Sequence, residues 1–183
     1  MNKKIADKLK RIKLLALDVD GILTNGKIVL DEKGREIKVF DVQDGFGIVI
    51  FRKMGLKTAI ISARSAKPVE FRAKDLKIDR VYQDAYPKIH AYEQLLKDLK
   101  LRDDEICFMG DDLPDMCVLK RVGFAASVPN AVEEVKKCAD YVTKKRGGEG
   151  AVREVIELIL KAQGKWERII KSFSFREWEG AIK

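Results

Sequence analysis

The sequence predicts an α/β protein built on a doubly wound parallel sheet, and three observations carry that prediction. Short, unbroken apolar runs alternate with helix-period segments along the chain. Two of those runs end directly in acidic pairs, at Asp18-Val19-Asp20 and at Gly110-Asp111-Asp112. No apolar stretch approaches the roughly 18 residues of a membrane span, so no membrane partner is expected.

Taken in order, residues 2–11 alternate charge and apolar groups at helical spacing and read as an amphipathic helix. Leu14-Leu15-Ala16-Leu17 has the look of a parallel strand buried on both faces and opening into a site at its carboxyl end. Residues 26–40 form two alternating arms around Asp31-Glu32-Lys33-Gly34 and read as a β-hairpin. From Asp44 to Gly55 the period is helical, and Lys57 to Ile61 is a second buried strand. A helix over 66–75, a strand at Val81-Tyr82 and a helix over 87–99, entered through Pro87, come next. Strands at Glu105–Met109, Gly123–Ala126 and 141–142 alternate with helices over 113–121, 131–137 and 149–163. This is a Rossmann-like succession in one domain, residues 1–164, followed by a tail, 165–183, that holds both tryptophans.

Composition narrows the function. Of 183 residues, 37 are basic and 29 acidic, and the net charge of +8 suits an anionic ligand. The basic residues are scattered, without a Lys/Arg block or zinc-ligand spacing, so nucleic acid is not the expected anion. Cys107, Cys117 and Cys138 are odd in number and lack CxxC spacing, as in a reducing compartment. The charged N-terminus has no apolar h-region, so a cytoplasmic protein is expected.

The chemistry lies at the strand ends. Residues i and i+2 of an extended segment share a face, so Asp18 and Asp20 aim at one space. Gly110-Asp111-Asp112 repeats the arrangement, and strand carboxyl ends of such a sheet face one crevice. Carboxylates gathered there repel unless a cation lies among them, and an all-oxygen set suits Mg²⁺. Each acid could instead cap a helix, and Asp112 is the one best placed for that. Ser62, after strand 57–61, and Lys88, opening helix 87–99, are unremarkable singly. Beside the acids they supply the hydrogen-bond donor and the positive charge that a phosphoryl group needs.

In the order Asp18-Val19-Asp20-Gly21-Ile22-Leu23-Thr24, Ser62, Lys88, Gly110-Asp111-Asp112, the sequence resembles the haloacid dehalogenase superfamily. Asp41-Val42-Gln43-Asp44-Gly45-Phe46-Gly47, Ile61-Ser62-Ala63-Arg64 and Gly147-Gly148-Glu149-Gly150-Ala151-Val152-Arg153 resemble its 3-deoxy-D-manno-octulosonate 8-phosphate (KDO 8-P) phosphatases over residues 12–165. The resemblance implies a capless fold in which the hairpin stands where others insert a cap. It implies an Mg²⁺-dependent phosphatase of lipopolysaccharide precursor synthesis acting on a small phosphorylated sugar acid. Asp18 would attack phosphorus and Asp20 would carry the proton. Mg²⁺ would lie on Asp18, the Asp20 carbonyl and Asp111, with Asp112 a further or water-mediated ligand and Asp115 orienting its neighbours. Asp20, Asp41, Val42, Gln43, Asp44, Gly45, Arg64, Arg72 and Lys88 would line the substrate site. A homotetramer joined through the hairpins is implied as well, with Trp166, Phe173, Phe175 and Trp178 of the tail placed to pack on a neighbour or to fray.

Two positions depart from the family pattern. Val49 and Glu149 stand where arginine is usual, which removes positive charge near the substrate entrance. The competing readings are a nine-carbon sialic-acid-type 9-phosphate phosphatase, a receiver-type phosphoacceptor module and a scaffold without activity. Receivers place an acidic pair first and a lone phosphorylated Asp on a later strand, unlike this chain.

Overall fold

Helix α1 (Lys3–Arg11) leads into β1 (Leu14–Leu17), the centre of a six-stranded sheet. In the computed structural model, which describes residues 3–174, all six strands are parallel, in the order β5-β4-β1-β6-β7-β8. The partners are β4 (Lys57–Ile61), β5 (Arg80–Tyr82), β6 (Ile106–Met109), β7 (Phe124–Ser127) and β8 (Tyr141–Val142). Every residue of β1, β6 and β7 is buried, as expected of strands covered by helices on both faces. The chain winds outward from β1 to β4 and β5, then crosses back to β6 on the other side of β1. The order reverses between β1 and β6, and the crevice outside their carboxyl ends is where such sheets bind ligands.

Helices α2 (Val42–Lys53) and α7 (Ala151–Ala162) pack on each other, and α1 also packs on α7. α4 (Lys88–Leu99), α5 (Met116–Leu119) and α6 (Glu133–Cys138) form a second group, and α3 (Lys67–Asp75) links β4 to β5. Asp44 fastens α2 to α7. Its carboxylate accepts hydrogen bonds from the Arg153 N–H (2.8 Å) and the Gly150 N–H (3.3 Å) at the start of α7. Those amides have no intrahelical partner, so a carboxylate there both caps the helix and meets its positive end.

Several expected boundaries shift for local reasons. The helix expected over 113–121 is a 3₁₀ turn, Leu113–Asp115, followed by the short α5. Asp112 caps that turn, and the Asp115 side chain folds back onto the Asp111 and Asp112 amides. Glu105 belongs to a 3₁₀ turn ahead of β6. Helix α7 starts only at Ala151, after Gly150 at φ 97°.

The hairpin pairs only two residues per arm, β2 (Val29–Leu30) and β3 (Glu36–Ile37). Its turn is fixed by Asp31, whose Oδ1 accepts from the Lys33 and Arg35 amides. Those two bonds and the Arg35 guanidinium hold the Asp31 carboxyl below its ordinary range, the Arg35 amide contributing most. Ile28, Val29, Leu30, Ile37 and Val39 are exposed.

The start of the segment read as a tail forms α8 (Trp166–Ser174), which docks on α7 through Ile169. Trp166 packs on the chain's own core beneath Arg153 and Lys161, and Phe173 meets Phe46 edge-on at 5.7 Å between ring centres. Phe175 and Trp178 lie outside the described residues. Among the described residues no helix is long and apolar enough to cross a membrane.

Asp44→Ala leaves the Gly150 and Arg153 amides without their acceptor. Urea unfolding is expected to show a loss of about 1–3 kcal/mol. An unchanged midpoint would remove the fastening role assigned to Asp44.

Candidate active site

The crevice between β1 and β6 holds the acids. Asp18 follows β1 directly, and its N–H donates to the Met109 carbonyl at the end of β6 (3.0 Å). This bond locks the two strand ends side by side. Asp18, Asp111 and Asp115 each present a carboxylate oxygen to a common space within 4.8 Å. Lys88, at the first position of α4, is almost wholly buried and bridges Asp18 Oδ1 (2.6 Å) and Asp115 Oδ1 (2.5 Å).

The backbone around this cluster is shaped to admit it. A side chain on Gly110 would occupy the volume of Asp115, and one on Gly21, at φ 97°, would collide with the Asp111 carboxylate. Both positions therefore require glycine. Ser127 Oγ donates to the Gly110 carbonyl at 2.8 Å. Asn130 staples the loops together: its Nδ2 donates to the Gly21 carbonyl (3.0 Å), and its Oδ1 accepts from the Gly147 amide (2.8 Å).

Electrostatics single out what is lacking. Three carboxylates face one ammonium, a formal charge of −2 when all are ionised. Burial, then the charge of Asp115, pushes the Asp18 carboxyl up to about 7. Burial and the charges of Asp18, Asp115 and Asp112 push Asp111 up to about 8. Burial pulls the Lys88 ammonium down, but Asp18 and Asp115 outweigh it and hold it above its ordinary range.

Asp111 Oδ1 is buried and has no hydrogen-bond partner. A buried, unpartnered carboxylate oxygen in a negatively charged, all-oxygen cluster fits a hard divalent cation. Asp115 lies in the same cluster, yet both its oxygens are engaged. Oδ1 takes Lys88, and Oδ2 accepts from the Asp111 (2.9 Å) and Asp112 (3.2 Å) amides. It therefore orients the others, leaving Asp18 and Asp111 as the side chains free to ligate.

The remaining expected residues divide. Ser62 is buried just beyond β4, two positions past the row in which Ile60 aligns with Leu17; its Oγ accepts from the Arg64 amide (3.2 Å). Asp20, half-buried in the loop after β1, has its Oδ1 held by Lys38 Nζ at 2.5 Å. Asp112, expected as a further or water-mediated partner of the ion, is exposed; its carboxylate caps the Leu113 amide (2.8 Å) and is not one of the three clustered carboxylates.

Among the expected substrate contacts, Asp41 caps α2 through the Gln43 and Asp44 amides. Val42, 78% exposed, and Gln43 face solvent. The Asp44 carboxylate is turned inward onto α7, and burial raises it to about 6. The Arg72 guanidinium lies against Gly45, over the Phe40 ring at 5.9 Å and on Asp75 at 2.7 Å. Arg64 reaches Glu36 of the hairpin at 3.1 Å.

Lys38, Glu36 and Asn130 were not marked by any sequence motif. The only trace of the first two was their i, i+2 spacing on a hairpin arm, which does not say which face turns inward.

Comparison with known proteins agrees with this geometry. Residues 71–156 match the haloacid dehalogenase-like hydrolase family. The KDO 8-P phosphatase KdsC of Escherichia coli K12 is 43% identical over 158 residues, 86% of this chain and 84% of that protein. The chain belongs to the KDO 8-P phosphatase family of haloacid dehalogenase-like hydrolases. KdsC of Salmonella typhi is 42% identical over 88% of this chain and 86% of its own. The crystal structure of the Moraxella catarrhalis KDO 8-P phosphatase, in complex with magnesium, phosphate and KDO, superposes with a TM-score of 0.92 at 44% identity, covering 94% of this chain and 99% of that one. The cobalt-bound Haemophilus influenzae phosphatase gives 0.84 at 35% identity, covering 86% and 92%. Membership in this family removes the receiver-type reading.

The raised carboxyls set a pH dependence. Folded Asp18 and Asp111 hold protons that an unfolded chain, at an ordinary value of 3.8, releases. The ion-free protein therefore loses stability as pH rises from about 4 to about 8. A cation bound by the ionised carboxylates offsets that loss, most fully above the window. The rise in Tm from EDTA to Mg²⁺ is expected to be larger near pH 8.5 than near pH 6. A rise no larger at the higher pH would dissociate the ion from this cluster.

Proposed function

We propose that this chain hydrolyses KDO 8-P to KDO and phosphate, using Mg²⁺, with Asp18 as nucleophile. The observation that carries this is Asp18 at the sheet's switch point, beside Lys88 and the unpartnered Asp111 oxygen, in a chain 43% identical to KdsC. Bound Mg²⁺ supplies the positive charge that lets an anionic phosphate approach a carboxylate.

The chain's own residues do the rest. Lys88 holds Asp18 Oδ1 and so fixes the carboxylate that attacks phosphorus. Asp20 gives a proton to the leaving sugar oxygen as the phosphorus–oxygen ester bond breaks, and an aspartyl-phosphate remains on Asp18. Asp20, now ionised, takes a proton from the water whose oxygen attacks phosphorus. The Asp18–phosphate bond breaks, and both acids return to their starting states. Ser62 and Lys88 offer a hydroxyl and an ammonium to the nonbridging oxygens.

On the substrate side, Arg64 stands at the hairpin edge, where its planar guanidinium suits the sugar carboxylate. Val49 packs on the core and Glu149 is exposed, so the positive charge usual at those two positions is absent.

The oligomer we infer is a homotetramer joined by the hairpins. Ile37 and Val39 of one arm, with Val29 opposite Ile37 on the other, present an uncovered apolar face on a two-stranded element that is marginal alone, and Ile28 and Leu30 beside them are exposed as well. A cytoplasmic location accords with three cysteines that form no disulfide.

Phosphate release from a panel of phosphorylated sugar acids tests the assignment. KDO 8-P is expected to give the highest kcat/KM, above a nine-carbon 9-phosphate, and Asp18→Asn is expected to lose at least about 10³-fold in kcat. An active Asp18→Asn overturns the nucleophile. A better unrelated phosphomonoester overturns the substrate alone. Val39→Glu is expected to lower the mass seen by sedimentation velocity while circular dichroism stays unchanged; a variant still sedimenting as a tetramer overturns the hairpin interface.

A further inference from the structure

The hairpin has its polarity reversed. On the second arm, Glu36 and Lys38 turn inward, and the Lys38 side chain is only 2% exposed. Ile37 and Val39, between and beyond them, point outward at 49% and 72% exposure. Enclosing a lysine ammonium is unfavourable unless its charge is met. Here it is met twice, by Asp20 Oδ1 at 2.5 Å and by Glu36 Oε1 at 2.7 Å. Glu36 is held in turn by Arg64 at 3.1 Å. A row of alternating charges, Arg64–Glu36–Lys38–Asp20, thus runs from the edge of the site to its acid–base carboxylate.

We propose that Lys38 is a positioning residue for Asp20, and that seating the hairpin on the site sets the geometry of proton transfer. This rests on the reading of Asp20 as the proton carrier. Asp20 sits in the loop after β1, on a side chain with two rotatable bonds, and must serve two partners in turn, the leaving oxygen and then the water. Fixing Oδ1 on Lys38 removes the carboxylate's freedom to swing and leaves Oδ2 as the oxygen that exchanges the proton. Glu36 fixes Lys38, and Arg64 fixes Glu36, so the clamp is rigid only while the arm lies down. None of these bonds reaches the Asp18 or Asp111 side chain, so the nucleophile is held independently of the clamp.

That separation supplies the test. Lys38→Met, Lys38→Gln and Lys38→Arg are compared with Asp20→Asn on two substrates: KDO 8-P, whose leaving oxygen needs a proton, and 2,4-dinitrophenyl phosphate, whose leaving group does not. For Lys38→Met and Lys38→Gln, kcat on KDO 8-P is expected to fall about 10–100-fold, with KM changed by less than about threefold. On dinitrophenyl phosphate the same variants are expected to release a stoichiometric burst of dinitrophenolate at the wild-type rate. Slow turnover follows, because the water step has lost its aligned base. Lys38→Arg, which keeps the charge and the donors, is expected to recover much of the loss.

A burst that slows in proportion to turnover means general damage to the site and overturns the proposal, as does wild-type kcat on KDO 8-P. Lys38→Gln is one atom shorter than lysine but keeps an N–H donor, so the comparison stands even where Lys38→Met unfolds. If Asp20→Asn is impaired and the Lys38 variants are not, only the positioning role falls. If Asp20→Asn hydrolyses KDO 8-P at the wild-type rate, the acid–base reading fails and takes this proposal with it.

Discussion

Burying carboxylates together is the constraint on which the site depends. Asp18, Asp111 and Asp115 are drawn into one crevice because β1 and β6 are hydrogen-bonded neighbours whose carboxyl ends stop level with each other. Left uncompensated, that concentration of charge would favour protonation or separation of the acids. Lys88 compensates part of it from the opening of α4, so the placement of that helix is tied to the chemistry of the strand ends. What remains is the charge and donor set of a divalent ion site. Gly21, Gly110, Ser127 and Asn130 make sense on the same footing, since each lets the acids approach or fixes the loop that presents them.

The parts legible in the sequence were those governed by local pattern. Leu14–Leu17 and Ile106–Met109 are unbroken apolar runs ending in acids, and an apolar run ending in an acid has few explanations other than a buried strand opening on a site. The order Asp18, Ser62, Lys88, Asp111 is likewise a property of the chain, and the sheet then carries those positions to one edge. Less was legible where one residue type serves two roles. Asp44 and Asp112 sit inside site motifs, yet the first caps α7 and the second caps a 3₁₀ turn. Carboxylates are good ligands and good caps for the same reason, exposed lone pairs beside N–H donors, and only the surrounding backbone decides between them. Lys38 and Asn130 were invisible for a different cause: their partners are 18 and 109 residues away.

The C-terminal helix illustrates the same limit from the apolar side. The aromatic content of the tail suggested a surface to be covered, but not by what. Arg153 resolves part of it, since its guanidinium lies over both Phe46 and Trp166 and binds α2, α7 and α8 into one face. An arginine between two aromatic rings contributes both packing and cation–π attraction, and neither is encoded by a period in the sequence.

The hairpin brings the two halves of the argument together. Because successive strand residues alternate faces, the register that turns Lys38 onto Asp20 is the same register that turns Ile37 and Val39 outward. A one-residue slip would exchange them, placing apolar side chains on the acids and ammonium groups on the outer face. A mutation or partner that shifts the arm therefore acts on both surfaces at once. If copies of the chain cover the outer face, association holds the arm down, and the clamp on Asp20 is tightest in the assembled enzyme. Asp18, Lys88 and Asp111 are held by the sheet and α4, not by the arm. On the proposed role of Lys38, the hairpin would serve the site by orientation rather than by enclosure.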